Sequence, residues 1–377
     1  PSLTLVKNVT KNNGGTADAS DWLLKAEGPT TISGQGGANS DGTFSVGTYT
    51  LSESGGPSGY TAGAWTCTDG ITVDAQNQIT LTEGQSTTCS ITNDDDAPSL
   101  TLVKALMTDN AGTALTTNWT LMANGPTTIS GAGGATSNDT FSAGTYTLSE
   151  SGGPSGYMAS AWTCTDGIAV NGQSQITLTE GQSTVCTIVN DDIAPSLTLV
   201  KVVKKDNGGT ADATDWMLAA NGPANISGAG GASSDGTFLV GTYTLSESGG
   251  PSGYAASAWT CTNGIAVDAQ SQISLTEGQS TVCTIVNDDI QPMLTLVKNV
   301  INDDHPEGFG LGPDDFGLSI SGAGIEPIAV SSGVAVPLNA GDYTASEVNQ
   351  VGYVAGDWTG ACAADGNVSL VVGDNKT

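Results

Sequence analysis

Apolar residues alternate with polar ones in short runs along the whole chain, as in LTLVK, GTYTLSE, QITLTEG and STVCTIV. A period of two is the signature of half-buried β-strands, whose side chains point to opposite faces in turn. The runs are rich in Thr, Val, Ile and Tyr, which suit a pleated surface. The 52 glycines and the scarcity of Glu and Lys disfavour helix. The expected fold class is therefore all-β, most simply a sandwich.

The pattern also recurs. The segments PSLTLVK, PSLTLVK, PSLTLVK and PMLTLVK place Lys7, Lys104, Lys201 and Lys298 each 97 residues after the last. That period is too long for a solenoid repeat and right for an independent small domain. Four tandem domains are expected: 1–97, 98–194, 195–291, and a divergent fourth at 292–377. Boundaries fall at NDDDAP, NDDIAP and NDDIQP, ahead of Pro98, Pro195 and Pro292. Proline and its predecessor are held extended there, so short, stiff linkers and an elongated rod are expected.

Within a repeat the signals keep one order. A first strand precedes a strand around Trp22, Trp119 or Trp216, then a Gly-rich turn region (SGAGGA) and the GTYTLSE strand. The loop SGGPSGY, an AWTC strand, a hairpin around ITLTEG and a last strand ending CSITN or CTIVN follow. The tryptophans are expected to pack in the core.

Strand parity then exposes an anomaly. Leu100, Leu102 and Lys104 share one face; so do Tyr146, Leu148 and Glu150, and Cys186, Ile188 and Asn190. Lys104, Glu150 and Asn190 are thus all directed into one apolar core, and the same holds for Lys7, Glu53 and Asn93, and for Lys201, Glu247 and Asn287. Unpaired buried charges are costly and tend to neutralise. Desolvation lowers a lysine pKa and raises a glutamate pKa. A neutral amine is a nucleophile, and a protonated carboxyl can polarise an amide oxygen. Held together, these groups can form a Lys–Asn isopeptide bond with loss of ammonia, proximity standing in for a conventional enzyme. Two other readings stay open: a buried ionic cluster that never reacts, and strand ends that leave the three groups in water at the rim.

The GTYTLSES…PSGY stretch resembles the collagen-adhesin B-type, or prealbumin-like, domains of bacterial surface proteins and pilins. The resemblance covers three repeats fully. It implies a prealbumin-like (Ig-like) sandwich, an autocatalytic bond promoted by Glu53, Glu150 and Glu247, and crosslinks Lys7–Asn93, Lys104–Asn190 and Lys201–Asn287. It also implies a stalk or pilus-shaft role at the cell surface. The alternative is a module binding host protein or glycan through the loops of repeat 4; a turnover enzyme has no support.

Charge and cysteine usage narrow the setting. The net charge is −29, from 38 acids against nine lysines with no arginine. That excludes a general nucleic-acid binder and argues against anionic lipid, leaving solubility as its role. No apolar run approaches the ~20 residues of a membrane helix, and no signal peptide opens the chain, so it is either mature or part of something longer. Cys67 and Cys89, Cys164 and Cys186, and Cys261 and Cys283 recur at a separation of 22 residues, with no accompanying histidine. One disulfide per domain is expected, and with it an extracytoplasmic location. No metal or other cofactor is expected.

Repeat 4 keeps Lys298, Glu347 in its Tyr343–Glu347 motif, and Cys362. Aligning NVSLVVGDNKT on QITLTEGQSTT makes Thr377 the residue before the expected cysteine. The partners of Lys298 and Cys362 are thus expected beyond this segment, in a longer array or on a strand donated by another copy. The Asp94–Asp96, Asp191–Asp192 and Asp288–Asp289 clusters read as solvated linker acids rather than calcium ligands. Glycosylation sequons at Asn8, Asn118, Asn138, Asn225 and Asn375 are expected by chance, and His305 lies in a loop without triad partners.

Overall fold

The computed structural model describes residues 1–304 and 310–377; His305 lies outside the described residues. The chain forms two compact units, residues 1–109 with 113–192, and residues 110–112 with 193–377. All four repeats are β-sandwiches, and the described helical segments are single 3-10 turns such as Ala19–Asp21.

Repeat 1 sets the pattern with nine strands: β1 (Ser2–Thr10), β2 (Trp22–Glu27), β3 (Ile32–Gln35), β4 (Gly37–Asn39), β5 (Gly47–Gly55), β6 (Tyr60–Ala62), β7 (Thr66–Cys67), β8 (Gln78–Leu81) and β9 (Ser86–Asp95). One sheet has the order β4-β1-β9-β6, with β7 also pairing β9; the other has the order β3-β2-β5-β8. The first and last strands are parallel neighbours, Lys7 opposite Ile91 and Val9 opposite Asn93. Their inward faces carry Leu3, Leu5, Cys89 and Ile91, packed against Leu24, Tyr49, Leu51 and Ile79 of the facing sheet. Repeats 2 and 3 copy the strands, pairings and core. Repeat 4 keeps the four-stranded sheet, while its second sheet is Ala335–Pro337, Met293–Thr295 and Asn375–Lys376.

Three expectations are corrected. The Gly-rich segment is not a turn region but two strands, β3 and β4, in opposite sheets. Its glycines allow the crossing: a Cβ on Gly34 would stand 2.1 Å from the Gly37 carbonyl oxygen, and one on Gly37 would stand 2.6 Å from that of Leu5. The ITLTEG segment is not a hairpin either, because β8 and β9 belong to different sheets and the turn at Thr82–Gln85 carries the chain across.

Finally, the last strands run two residues past Asn93, Asn190 and Asn287, so Asp95, Asp192 and Asp289 are 3% exposed rather than solvated. The Asp95 carboxylate accepts the backbone N–H groups of Asn13 and Gly15 at 2.7–3.0 Å, anchoring the loop after β1. From that loop the Asn13 amide donates to the carbonyls of Asp139 and Phe141 in repeat 2. Asp289 holds Asn207 and Gly209 the same way, and the Asn207 carbonyl accepts from Ala340 of repeat 4 at 2.8 Å.

Candidate functional site

Each complete repeat brings its lysine, glutamate and asparagine together. Lys7 follows Leu3 and Leu5 on the inward face of β1, and Asn93 follows Cys89 and Ile91 on the adjoining β9. Glu53 reaches across from β5 in the facing sheet. The Lys7 ammonium donates to Glu53 Oε2 at 2.7 Å and the Asn93 amide donates to Glu53 Oε1 at 2.8 Å. In repeat 2 the Lys104–Glu150 and Asn190–Glu150 contacts are both 2.8 Å. In repeat 3, Lys201–Glu247 is 2.5 Å and Asn287–Glu247 is 2.9 Å. The three lysine side chains have no exposed surface, and their glutamates are 13–14% exposed. The rim reading is thereby excluded.

Burial pushes the Lys7 and Lys201 ammonium groups below the ordinary lysine range, opposed by the hydrogen bond and charge of Glu53 and Glu247. Each asparagine also leaves a buried Oδ1 with no hydrogen-bond partner. Such orphaned acceptors are rare and unfavourable. They follow from the charge state: a carboxylate can only accept, so it takes the amide nitrogen and strands the oxygen.

One member of the site was read from sequence only as core. Trp22, Trp119 and Trp216 open the second strand, and their rings lie 4.8–4.9 Å from the lysine Nζ. The sequence predicts them in the core, but the lysine contact depends on the facing of the two sheets, which the sequence pattern does not give.

Beside this cluster, Sγ–Sγ bonds join Cys67 to Cys89, Cys164 to Cys186 and Cys261 to Cys283. In repeat 4, Lys298 donates to Glu347 at 2.7 Å beneath Phe316, with a side chain 15% exposed. Cys362 is a buried free thiol whose pKa is raised by desolvation. Lys298, Glu347, Trp358, Cys362 and Thr377 line one groove of about 330 Å³.

Tandem β-sandwiches with this strand order define a repetitive all-β architecture. The profile of the prealbumin-like fold domain family matches residues 1–91, 95–188, 192–285 and 289–377, and the chain belongs to that family. No protein of curated function matches it in sequence. Among solved structures it is similar to the Bacillus anthracis TIE protein (14% identity, TM-score 0.46), covering 94% of this chain and 66% of that one. It is also similar to the major pilin protein of Streptococcus pyogenes (15%, TM-score 0.27), covering 52% of this chain and 98% of that one. For two B repeat units of the collagen binding protein of Staphylococcus aureus the values are 14% and 0.23, with coverage of 98% and 100%. The chain spans about two thirds of the first of these, and membership rests on the four matched segments.

Proposed function

We propose that the chain is a structural stalk or filament-shaft segment of a bacterial extracellular adhesin or pilus-like protein. Each complete repeat is locked by an autocatalytic bond: Lys7 to Asn93, Lys104 to Asn190, Lys201 to Asn287. The observation that carries this reading is the buried Lys–Glu–Asn cluster, three times over, in a family of repetitive β-sandwiches. In the reaction the lysine gives a proton to the glutamate, and neutral Nζ attacks Asn Cγ while the glutamic acid hydrogen-bonds to Oδ1. The Nζ–Cγ bond forms, the Cγ–Nδ2 bond breaks, and the departing nitrogen leaves as ammonia, carrying a proton relayed from the attacking amine through the glutamate. This chemistry is self-directed and single-turnover.

The mechanical logic follows from the register. Lys7 and Asn93 lie on parallel neighbouring strands at the two ends of the repeat. A bond between them passes tension from the first strand to the last and leaves the intervening chain unloaded. The disulfide and an oxidising extracellular setting belong to the same reading. In repeat 4, a strand carrying Cys and Asn at the spacing of Cys89 and Asn93 would complete the groove, pairing with Cys362 and Lys298. It would come from further residues of the same chain or from another copy.

Proteolysis and crosslinked-peptide mapping test the proposal. A branched peptide joining the Lys104 and Asn190 segments is expected, and Lys104→Ala removes that one alone. Recovery of the two segments only as separate linear peptides from the unaltered chain would reject it. A second reading, host protein or glycan binding by repeat 4, is favoured by the exposure of Val351 and Val354 in a loop there, 101% and 97%. Retention of the whole chain, but not of a Val351→Ser/Val354→Ser variant, on a glycan or matrix-protein array would support it.

A further inference from the structure

Beneath the lysine, each complete repeat builds an aromatic seat with more parts than packing requires. The Trp22 ring faces the Lys7 ammonium, and the edge of Tyr60 meets it at 5.4 Å and 74°. Tyr60 is itself fixed, its hydroxyl accepting the Ala17 N–H at 3.0 Å. Gly56 makes room: its φ of +80° is strained for any other residue, and a Cβ there would stand 2.2 Å from Trp22 Nε1. Repeat 2 has the same set in Trp119, Tyr157 and Gly153, and repeat 3 in Trp216, Tyr254 and Gly250.

Repeat 4 supplies the contrast within one chain. From Glu53 to Tyr60 is seven positions, but from Glu347 to Tyr353 is six, and Asn349 and Gln350 occupy the place of the two glycines. There the ring is the smaller Phe316, 4.4 Å from Lys298 Nζ. The indole, the glycine that admits it and the loop length therefore change together. The tyrosine edge is kept, Tyr353 meeting Phe316 at 5.2 Å and 88°, so a ring face under the lysine persists in all four repeats.

We propose that Trp22, Trp119 and Trp216 are positioning residues for the crosslinking reaction, seating the lysine Nζ against the glutamate and asparagine. The inference rests on the isopeptide reading and names residues that act in it without reacting. A ring face attracts an ammonium by ~0.5–2 kcal/mol, which holds Nζ over the indole before the proton leaves. After transfer, the flat face limits where the neutral amine can go. Water is kept out on that side, and the nitrogen is left directed toward Asn Cγ, the kind of orientation that supplies much of an intramolecular rate.

The test uses the full chain, in which repeats 1 and 3 serve as internal clocks. Trp119→Leu and Trp119→Phe are made by cell-free synthesis, and the crosslinked peptide of each repeat is followed by mass spectrometry over time. Repeat 2 of the Leu variant is expected to crosslink at least about tenfold more slowly than its neighbours. Its Cys164–Cys186 bridge should form and its protease resistance should appear on schedule. The Phe variant, keeping a ring face, should recover most of the rate. Should the Leu variant fail to fold, Gly153→Ala decides instead, since it keeps the indole but displaces it. Repeat 2 crosslinking in step with repeats 1 and 3 despite Trp119→Leu overturns the proposal, as does equal slowing by Leu and Phe with the bridge formed. Absence of crosslinks in repeats 1 and 3 would instead overturn the isopeptide reading.

Discussion

Asn190→Ala removes the electrophile of repeat 2 while leaving the Lys104–Glu150 ion pair, at 2.8 Å, in place. A Lys104–Asn190 bond closes a loop of 86 residues, the difference of the two positions. Chain-entropy arithmetic assigns such closure about 4.6 kcal/mol at 25 °C, and the disulfide nested inside the loop lowers this only to about 4.3. In the bonded repeat the Asn190 Nδ2 has already left as ammonia, so its hydrogen bond to Glu150, worth ~1.5–3 kcal/mol for a charged acceptor, is at stake only where no bond has formed. The expected loss is therefore about 4 kcal/mol, confined to one repeat. Native-state hydrogen exchange read by mass spectrometry assigns stability to individual segments and is the suitable assay. Peptides from Ser99–Met107 and Ser183–Asp192 should exchange about 10³-fold faster, every 1.4 kcal/mol being a factor of ten. Those from repeats 1 and 3 should keep their rates. Acceleration of only ten- to a hundredfold would match the lost hydrogen bond alone and refute a covalent contribution.

Other perturbations address neighbouring parts of the account. Glu247→Gln keeps the shape of the side chain but cannot take up the lysine proton, so the repeat 3 crosslink should be missing from the peptide map while the other two persist. Replacing Cys261 and Cys283 by Ala opens a 22-residue loop and should destabilise repeat 3 by about 3 kcal/mol in hydrogen exchange, with its crosslink still forming. At the repeat 3 loop, the carboxylates of Asp206, Asp288 and Asp289 lie within 4.8 Å of one another, with Lys204 3.5 Å from Asp288 and Lys205 paired to Asp212. The hydrogen bond to Asp289, then the Asp288 charge, raises the Asp206 pKa, while backbone and side-chain hydrogen bonds hold Asp289 low against its desolvation. A raised acid pKa gives stability that is present below the unfolded value and lost as pH rises through the folded one; the lowered Asp289 acts in the opposite sense. Asp206→Asn, copying Asn12 of repeat 1, should thus raise the stability of repeat 3 near neutral pH, read by hydrogen exchange of its peptides. The gain should shrink as pH falls toward about 4, and a gain constant across that range would contradict the shared-proton description.

Strand parity carried much of the site. A period of two fixes which residues share a face, and that sufficed to direct Lys104, Glu150 and Asn190 into one core. Carried two residues past Asn93, the same alternation reaches Asp95, which charge alone had assigned to solvent; hydrogen-bond donors from a distant loop make its burial tolerable. Parity says nothing about which sheet a strand joins. The ITLTEG segment therefore read as a hairpin although β8 and β9 lie in different sheets, and the glycine run read as a turn although its missing side chains permit two strands to cross. The role of Trp22 was hidden for the same reason, since the Lys7 contact exists only across the sandwich.

Intact mass of the unaltered, oxidised chain tests the central claim most directly. Three Lys–Asn bonds and three disulfides should leave it lighter than its sequence mass by three ammonias and six hydrogens, and reduction should restore only the hydrogens. A deficit of six hydrogens alone would show that the buried lysines are unreacted and would contradict the account.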